Sequence, residues 1–378
     1  MVLTDLGAVE AILPEWRQLT ATSARSPLEA ADWLLPLARR YLSSYETRFL
    51  VWRDAAGLLV GVAPLSLIGD RPPLRPIRQL AFWGSVGPRM RGLVDLVARV
   101  DVRDAVTASF AGWLASNREW DVVRLLRTQV GSDTGPSLAG RAASAGWSYA
   151  AYSNLRSTTY QLELPKTVDE WDVFLRPKTR STARREARQY AEERGGELVA
   201  VLGDEQIDEG LEAVERLLRA RWGESEVYFA SDPAFTGLIH EAVPQMFANS
   251  DAWISVARDG EGIQAVLVTT AQHGYAMALL VAADDGETLR KYSLGKHVFK
   301  MGIGEAVRRG CHTYDFLWVG GYKQSYWHAQ PRHLESAYVG RGLIGRPLAR
   351  LMARRESGPA DVSHSDAALP DRNAEGPE

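Results

Sequence analysis

The stretch that decides the fold runs from Lys291 to Trp327: KYSLGKHVFKMGIGEAVRRGCHTYDFLWVGGYKQSYW. A polar turn containing glycine leads into a helical pattern, a short alternating strand follows, and a second glycine turn ends in Tyr322 and Lys323. Phe299, Ile303 and Val307 recur four apart beside Gly302 and Ala306. That is one apolar helical stripe with small residues that permit close contact to a sheet. Gly310 is placed to end the helix, after Arg308 and Arg309, whose charge suits a helix C-terminus. Ser293 and Gly295 then stand at its N-terminus, where unpaired backbone N–H groups and a partial positive charge attract anions, and Lys296 adds a mobile cation. This is the chemistry of a pyrophosphate cradle. The same residues also fit a plain N-cap serine and a turn glycine.

Other motifs fail at this stretch. LGKH lacks the first glycine of a Walker loop and the Ser or Thr after its lysine. KYSLG puts Lys291 where a nucleophile elbow needs glycine, which argues against a hydrolase serine. His328 and His333 are five apart around Pro331, poor geometry for a shared metal. In HTYDFLWVGGYK (312–323), Thr313, Asp315 and Leu317 face one way, and Tyr314, Phe316 and Trp318 the other. Asp315 in so apolar a strand needs a partner. It reads equally as an acid/base group and as a carboxylate bracing a loop. Tyr322 and Lys323 follow a double glycine, which lets both swing toward a site at the strand's end; the pair also fits a loop tyrosine and a solvated lysine.

Working outward, one plan is written twice. FLVWRDAAGLLVGVAPLSLIG (49–69) reads as a hairpin, and so does ISVARDGEGIQAVLVTTAQ (254–272). Arg53, Asp54 and Gly57 match Arg258, Asp259 and Gly262 at a constant offset. Each hairpin follows a helical pattern, AADWLLPLARRYL (30–42) or IDEGLEAVERLLRARW (207–222). Each precedes a helix and a strand: RDAVTASFAGWLASN and WDVVRLLRTQ in the first half, GKHVFKMGIGEAVRRG and HTYDFLWV in the second. The economical reading is a duplicated α/β domain, 1–160 and 161–356, followed by a disordered tail, 357–378, with almost no aliphatic bulk.

The whole chain sets bounds. With 378 residues and 46% hydrophobic side chains, it can supply a core for each of two domains. A net charge of -3 argues against a dedicated DNA-binding protein and leaves only a local patch for any nucleic acid. Cys311 is the sole cysteine, so an intrachain disulfide and a Cys-x-x-Cys zinc or redox site are excluded. A reducing cytoplasm fits. The acidic start MVLTDLGAVEAILPEW is not expected to be a secretory signal, and no stretch is long and apolar enough for a membrane-spanning helix.

In these residues the chain resembles the CelD-like branch of the GNAT acyltransferase superfamily, which is related to the Fem peptidyltransferases. In that branch a Tyr-Ser-Pro-Gly-type loop begins the helix, and an Asp-Phe strand leads through Gly to Tyr-Lys and a nearby Trp. The matching residues are Tyr292, Ser293, Gly295, Asp315, Phe316, Gly320, Tyr322, Lys323 and Trp327, with Leu294 where proline is usual. RPKTRSTARREARQ (176–189) resembles the family's arginine-rich opening helix. RARWGESEVYFA (219–230) resembles its Arg-Trp segment near the acceptor site, and VGVAPLSL with QLAFWG its N-terminal half. The likeness extends from about Trp16 to Gly340, with the specific matches in the second half.

The resemblance implies two tandem GNAT-like domains, each a mixed, mostly antiparallel sheet flanked by helices. Two central strands, here GYAMALLVAAD (274–284) and HTYDFLWV (312–319), would splay apart around the pantetheine of acyl-CoA, expected to be acetyl-CoA. The cradle would comprise Tyr292, Ser293, Leu294, Gly295, Lys296 and His297, with Arg221, Trp222, Phe229 and Trp318 toward an amine acceptor. The acceptor would be a small-molecule, cell-envelope or secondary-metabolite precursor. The first half has VDVRDAVTAS (100–109) at the matching place, without glycine and with acids, so only the second half is expected to bind donor.

Direct attack needs no covalent enzyme intermediate and no metal. Asp315 is the candidate to position or deprotonate the amine, Tyr322 to protonate the leaving thiolate, and Lys323 to supply positive charge. An alternative donor is aminoacyl-tRNA, as in Fem-like enzymes, with Arg180, Arg184 and Arg188 on one helical face toward its phosphates. A non-catalytic binding protein with both halves degenerate is the third reading.

Overall fold

The computed structural model describes residues 1–69, 77–85, 92–128, 132–152, 157–222, 232–249, 251–284, 286–317 and 326–357. The expected tail lies, apart from Ser357, outside them. Two compact units divide the chain: residues 1–158 with the segment from 332 onward, and residues 159–331.

The first unit holds β1 (Val2–Leu3), β2 (Glu46–Arg53), β3 (Leu59–Gly69), β4 (Arg78–Phe82), β6 (Val122–Thr128), β15 (Glu335–Gly340) and β7 (Ser148–Tyr152) side by side in that order, with β5 (Val97–Ala98) on β3. The second sheet runs β14 (Gln330–His333), β8 (Thr158–Glu163), β13 (Thr313–Asp315), β12 (Tyr275–Ala283), β11 (Gly262–Gln272), β10 (Asp251–Asp259) and β9 (Glu197–Val199). The parallel neighbours are β4 with β6 and β12 with β13; the other registered ladders are antiparallel. This is the mixed, mostly antiparallel α/β plan expected, present twice.

The duplication holds in detail. Both hairpins shift register one residue before their turn, at Trp52/Arg53 and at Ala257/Arg258. In both, the turn aspartate accepts from backbone two residues on: Asp54 Oδ1 from Ala56 N at 3.0 Å, Asp259 Oδ1 from Glu261 N at 2.9 Å. Gly57 and Gly262 supply the left-handed φ, +82° and +105°, that closes each turn without a Cβ penalty. Both parallel pairs extend over three residues, Gln79–Ala81 against Val122–Arg124 and Tyr275–Met277 against Thr313–Asp315.

The structure differs from the expected second span of 161–356 in its last part. After β14 the chain returns to the first unit, where β15 inserts between β6 and β7. In the other direction, β8 follows β7 in sequence but joins the second sheet, opposite β13. The strands after β7 and after β14 are thus exchanged between sheets. Nothing in the local pattern of ESAYVG names the sheet it will join, because alternation reports a face and not a partner.

The helix Leu294–Arg308 packs on β10, β11 and β12 as its stripe requires, with Phe299, Ile303 and Val307 buried. A Cβ on Gly302 would stand 2.6 Å from Leu267 Cδ2, so glycine sets how closely this helix meets the sheet. Gly310, at φ +76°, ends it, and Cys311 N returns 2.9 Å to Ala306 O in the expected C-terminal cap. Tyr314 and Phe316 face this helix, with the Phe316 ring 5.4 Å from Phe299. Trp327 stacks on Trp171 at 5.9 Å.

Candidate active site

Among the described residues the pairing of β12 with β13 ends at Met277 and Asp315, while β12 runs on to Ala283 against β11. Among the described residues no strand pairs with the β13-side edge of the second half of β12, as at a splayed pair of strands. Asp315 stands where the ladder ends, fully buried. Its Oδ2 accepts from Gln161 Nε2 at 3.0 Å and from the Tyr275 hydroxyl, and its Oδ1 from Leu317 N at 2.6 Å. The last bond fastens Leu317 in the left-handed region, φ 56°, a conformation that disfavours a leucine. Alternation stops there, and the chain is turned out of the strand. Burial pushes the Asp315 carboxyl upward, opposed by the donors from Tyr275, Gln161, Leu317 and Thr159.

The helix Leu294–Arg308 begins at Ser293, itself left-handed at φ 51°. The serine hydroxyl makes no cap bond; it lies 3.3 Å from Glu186 Oε1, a residue of the arginine-rich helix Pro177–Arg194. Among the described residues the N–H groups of Leu294 and Gly295 have no backbone partner, whereas Lys296 N reaches Ser293 O at 2.8 Å. Among the described residues a Cβ on Gly295 would meet only Ala283 Cβ, at 3.6 Å, so none of them crowds the approach to these N–H groups. Lys296 Nζ lies 5.2 Å over the Tyr326 ring.

Three expected cradle residues are structural in their contacts. Tyr292 is buried against Tyr190 and donates its hydroxyl to Glu193 at 2.9 Å; Leu294 is in the core. His297 is buried with Nε2 lacking a hydrogen bond, 3.9 Å from Glu186 Oε2. Burial, reinforced by Lys300 and Lys296, lowers it to about 4, so its imidazole is neutral. Burial raises Glu186, against the pull of Lys296, Ser293 and Arg185. A carboxyl group thus stands beside the helix start where the cradle is expected.

Tyr322, Lys323, Trp318 and Phe229 lie outside the described residues, as does the side chain of Trp222. Arg221 is half-buried near the C-terminus of the helix Ile207–Trp222. At the matching place in the first half, Asp101 is held by Arg99 at 2.7 Å, and the Arg103 guanidinium turns to the carbonyls of Ala98 and Ser23. His333 hydrogen-bonds Thr158 and His328 meets Phe174, so the two are engaged separately. Among the described residues no cluster of His, Cys, Asp or Glu is placed to hold a metal ion, and no helix is long and apolar enough to cross a membrane.

Sequence reasoning did not single out Tyr275, Gln161 or Glu186 for the site. Tyr275 had a signal, since period two puts it on the same side of β12 as Met277, whose partner is Asp315. Gln161 and Glu186 come from elements whose placement depends on tertiary contacts.

Residues 177–326 match the family described as "Acetyltransferase (GNAT) domain". The second unit therefore carries a GNAT domain. The chain's fold is similar over nearly the whole length to that of FemX, with a TM-score of 0.60 at 13% identity, covering 90% of this chain and 98% of that one. A conserved protein of unknown function from Bacteroides thetaiotaomicron VPI-5482 aligns with a TM-score of 0.52 at 11% identity, covering 90% and 100%. The C-terminal domain of a putative lysylphosphatidylglycerol synthetase from Agrobacterium fabrum gives 0.50 at 11% identity, covering 92% and 96%. At these identities the likeness is one of fold. No curated protein sequence matches the chain.

Proposed function

We propose that this protein is an N-acyltransferase that moves an acyl group, with acetyl expected, from acyl-CoA to a primary or secondary amine. The observation that supports the reading is the end of the β12–β13 ladder at Asp315, together with a helix start where, among the described residues, Leu294 and Gly295 N–H have no backbone partner. The thioester chain would lie along β12 and the pyrophosphate at Gly295 and Lys296. The neutral amine attacks the thioester carbonyl, the C–S bond breaks, and the nitrogen's proton ultimately reaches the thiolate. Asp315, whose oxygens are both already accepting, holds the end of that ladder and aims the chain after it. Tyr322 is proposed to protonate the thiolate and Lys323 to stabilise developing negative charge. The acceptor is an amine of a small-molecule, envelope or secondary-metabolite precursor, with the first half taking no donor and the protein working in the cytoplasm.

Calorimetric titration with CoA, followed by thiol release across an amine panel, tests this. One CoA bound per chain and amine-dependent thiol release are expected, with Lys323→Met slowing release about 10- to 1000-fold without lowering Tm.

One observation favours a second donor, aminoacyl-tRNA. Between Arg176 and Arg188 there are six cationic side chains and one acid, Glu186, and that acid is turned inward onto Ser293. Lys178, Arg184, Arg185 and Arg188 are exposed, giving the first part of this helix a cationic outer face suited to phosphates, with Glu192 paired to Arg188 at 3.8 Å beyond it. Heat with tRNA and none with CoA, diminishing steeply with salt, would select that donor. Silence with both would leave a binding protein.

A further inference from the structure

The C-terminal helix, Gly342–Glu356, belongs to the first unit and packs on β6, β7 and β15. Its inner side is fixed closely. Ala349 and Ala353 are buried, Leu348 and Met352 join the cluster around Tyr152 and Tyr338, and a Cβ on Gly345 would stand 2.0 Å from Asp121 O. The Arg341 guanidinium, just before the helix, stacks over Trp120 at 4.6 Å. The helix therefore has no rotational freedom, and its outer side is set by its inner one.

That outer side is apolar at its centre. Leu343 is 95% exposed, and Ile344 and Leu351 are each 47% exposed. At about 100° per residue these three fall within one sector roughly 100° wide, opposite Ala349. Arg346, Arg350, Arg354 and Arg355 are also exposed, and none has an ion pair among the described residues. Arg346 and Arg350 flank the sector on one side and Arg355 on the other, while Arg354 projects within it. The helix's one acid, Glu356, lies toward the inner side and is partly buried.

We infer that this face docks on an anionic lipid surface. Leucine and isoleucine entering the acyl boundary, with guanidinium groups at headgroup level, are the pattern of a helix lying in a membrane interface. A second copy of the chain fits poorly, because a two-fold contact would oppose its arginine rows. Nucleic acid would use the arginines and leave the two leucines and the isoleucine in water. The protein is then held peripherally through its first unit, by a surface separate from the candidate active site, so lipid binding and acyl transfer can be lost independently.

Sedimentation of the full chain with sucrose-loaded vesicles tests this, comparing phosphatidylcholine alone with phosphatidylcholine containing about one-third phosphatidylglycerol. Binding is expected only to the anionic vesicles. Arg350→Gln and Arg354→Gln should each lower it about fivefold, and Leu343→Ser about tenfold, with Tm unchanged because all three side chains are exposed. Equal binding by the wild type and these variants, or no binding to anionic vesicles, overturns the inference. So does a self-association that Leu343→Ser abolishes, or a tRNA complex weakened by the arginine variants and indifferent to Leu343→Ser.

Discussion

The Tyr275 hydroxyl and the Asp315 carboxylate meet across the parallel pair β12 and β13, two residue steps from the start of their ladder and at the point where it ends. The same carboxylate receives Gln161 from β8 and the backbone of Leu317, so one buried group ties three strands and the turn beyond. Asp315→Asn replaces one acceptor oxygen by a donor facing donors. The expected cost is about 2–4 kcal/mol, seen as a fall in Tm of several degrees, with activity declining only as folded protein is lost. Normal Tm with abolished turnover would instead give Asp315 a chemical role.

Glu186 stands beside the Ser293 hydroxyl at the cradle, and its carboxyl is raised by burial. An arriving phosphate raises it further, so donor binding takes up a proton. CoA affinity should therefore fall as pH rises through this group's pKa, by up to about tenfold per unit. Glu186→Gln should bind more tightly at pH 8 and lose that part of the pH dependence. Calorimetry in two buffers of different ionisation enthalpy counts the proton; identical counts for wild type and variant would remove Glu186 from the binding step.

Two glycines of one helix should respond oppositely. Gly302→Ala pushes a methyl to 2.6 Å from Leu267 Cδ2. The expected net loss is about 1–3 kcal/mol despite alanine's better helix propensity. Gly295→Val meets only Ala283, so Tm should hold while CoA affinity drops, because the branched side chain occupies the anion approach. Thermal melts and CoA titrations on the pair separate packing from binding.

In the first unit Glu29 is wholly buried, with Arg25 N donating to Oε2 at 2.6 Å. Burial, helped by the nearby Asp95 charge, pushes it up to about 8. A folded value above the unfolded one means the native state binds the extra proton. Its stabilising effect is complete below the usual carboxylate range and is lost as pH rises toward 8, at about 1.4 kcal/mol per pH unit in between. Glu29→Gln keeps the neutral shape, so its Tm should match wild type near pH 5 and exceed it above pH 8. Parallel pH profiles for the two proteins would show that Glu29 does not titrate in the fold.

Much of the second half was legible because periodicity and turn chemistry acted locally. The Phe299, Ile303 and Val307 stripe, the glycine stop at Gly310 and the twin Asp54 and Asp259 turns each depend on residues within a few positions. Asp315 was found by its chemistry, a carboxylate among aromatics. Its partners were not, since Gln161 is 154 residues away and only the register of β8 on β13 brings it there. Glu186 read as a charge diluting a basic helix; that it turns inward follows from packing against Ser293, which composition does not encode. Arg346 to Arg355 drew no notice, because arginine beside leucine in sequence looks the same whether its helix is covered or bare.

The crossing of β8 and β15 makes the two halves of the duplication mutually dependent. Val339 pairs with Val123, so the first sheet closes only after more than 200 further residues have been made. Such distant closure slows folding and leaves β6 without its antiparallel neighbour until then. A cut between the apparent repeats yields no self-sufficient piece: the leading fragment lacks β15, and the trailing one carries that strand without its native partners. Each repeat thus lends the other its next strand, the exchange that two copies make in a swapped dimer, here carried out within one chain.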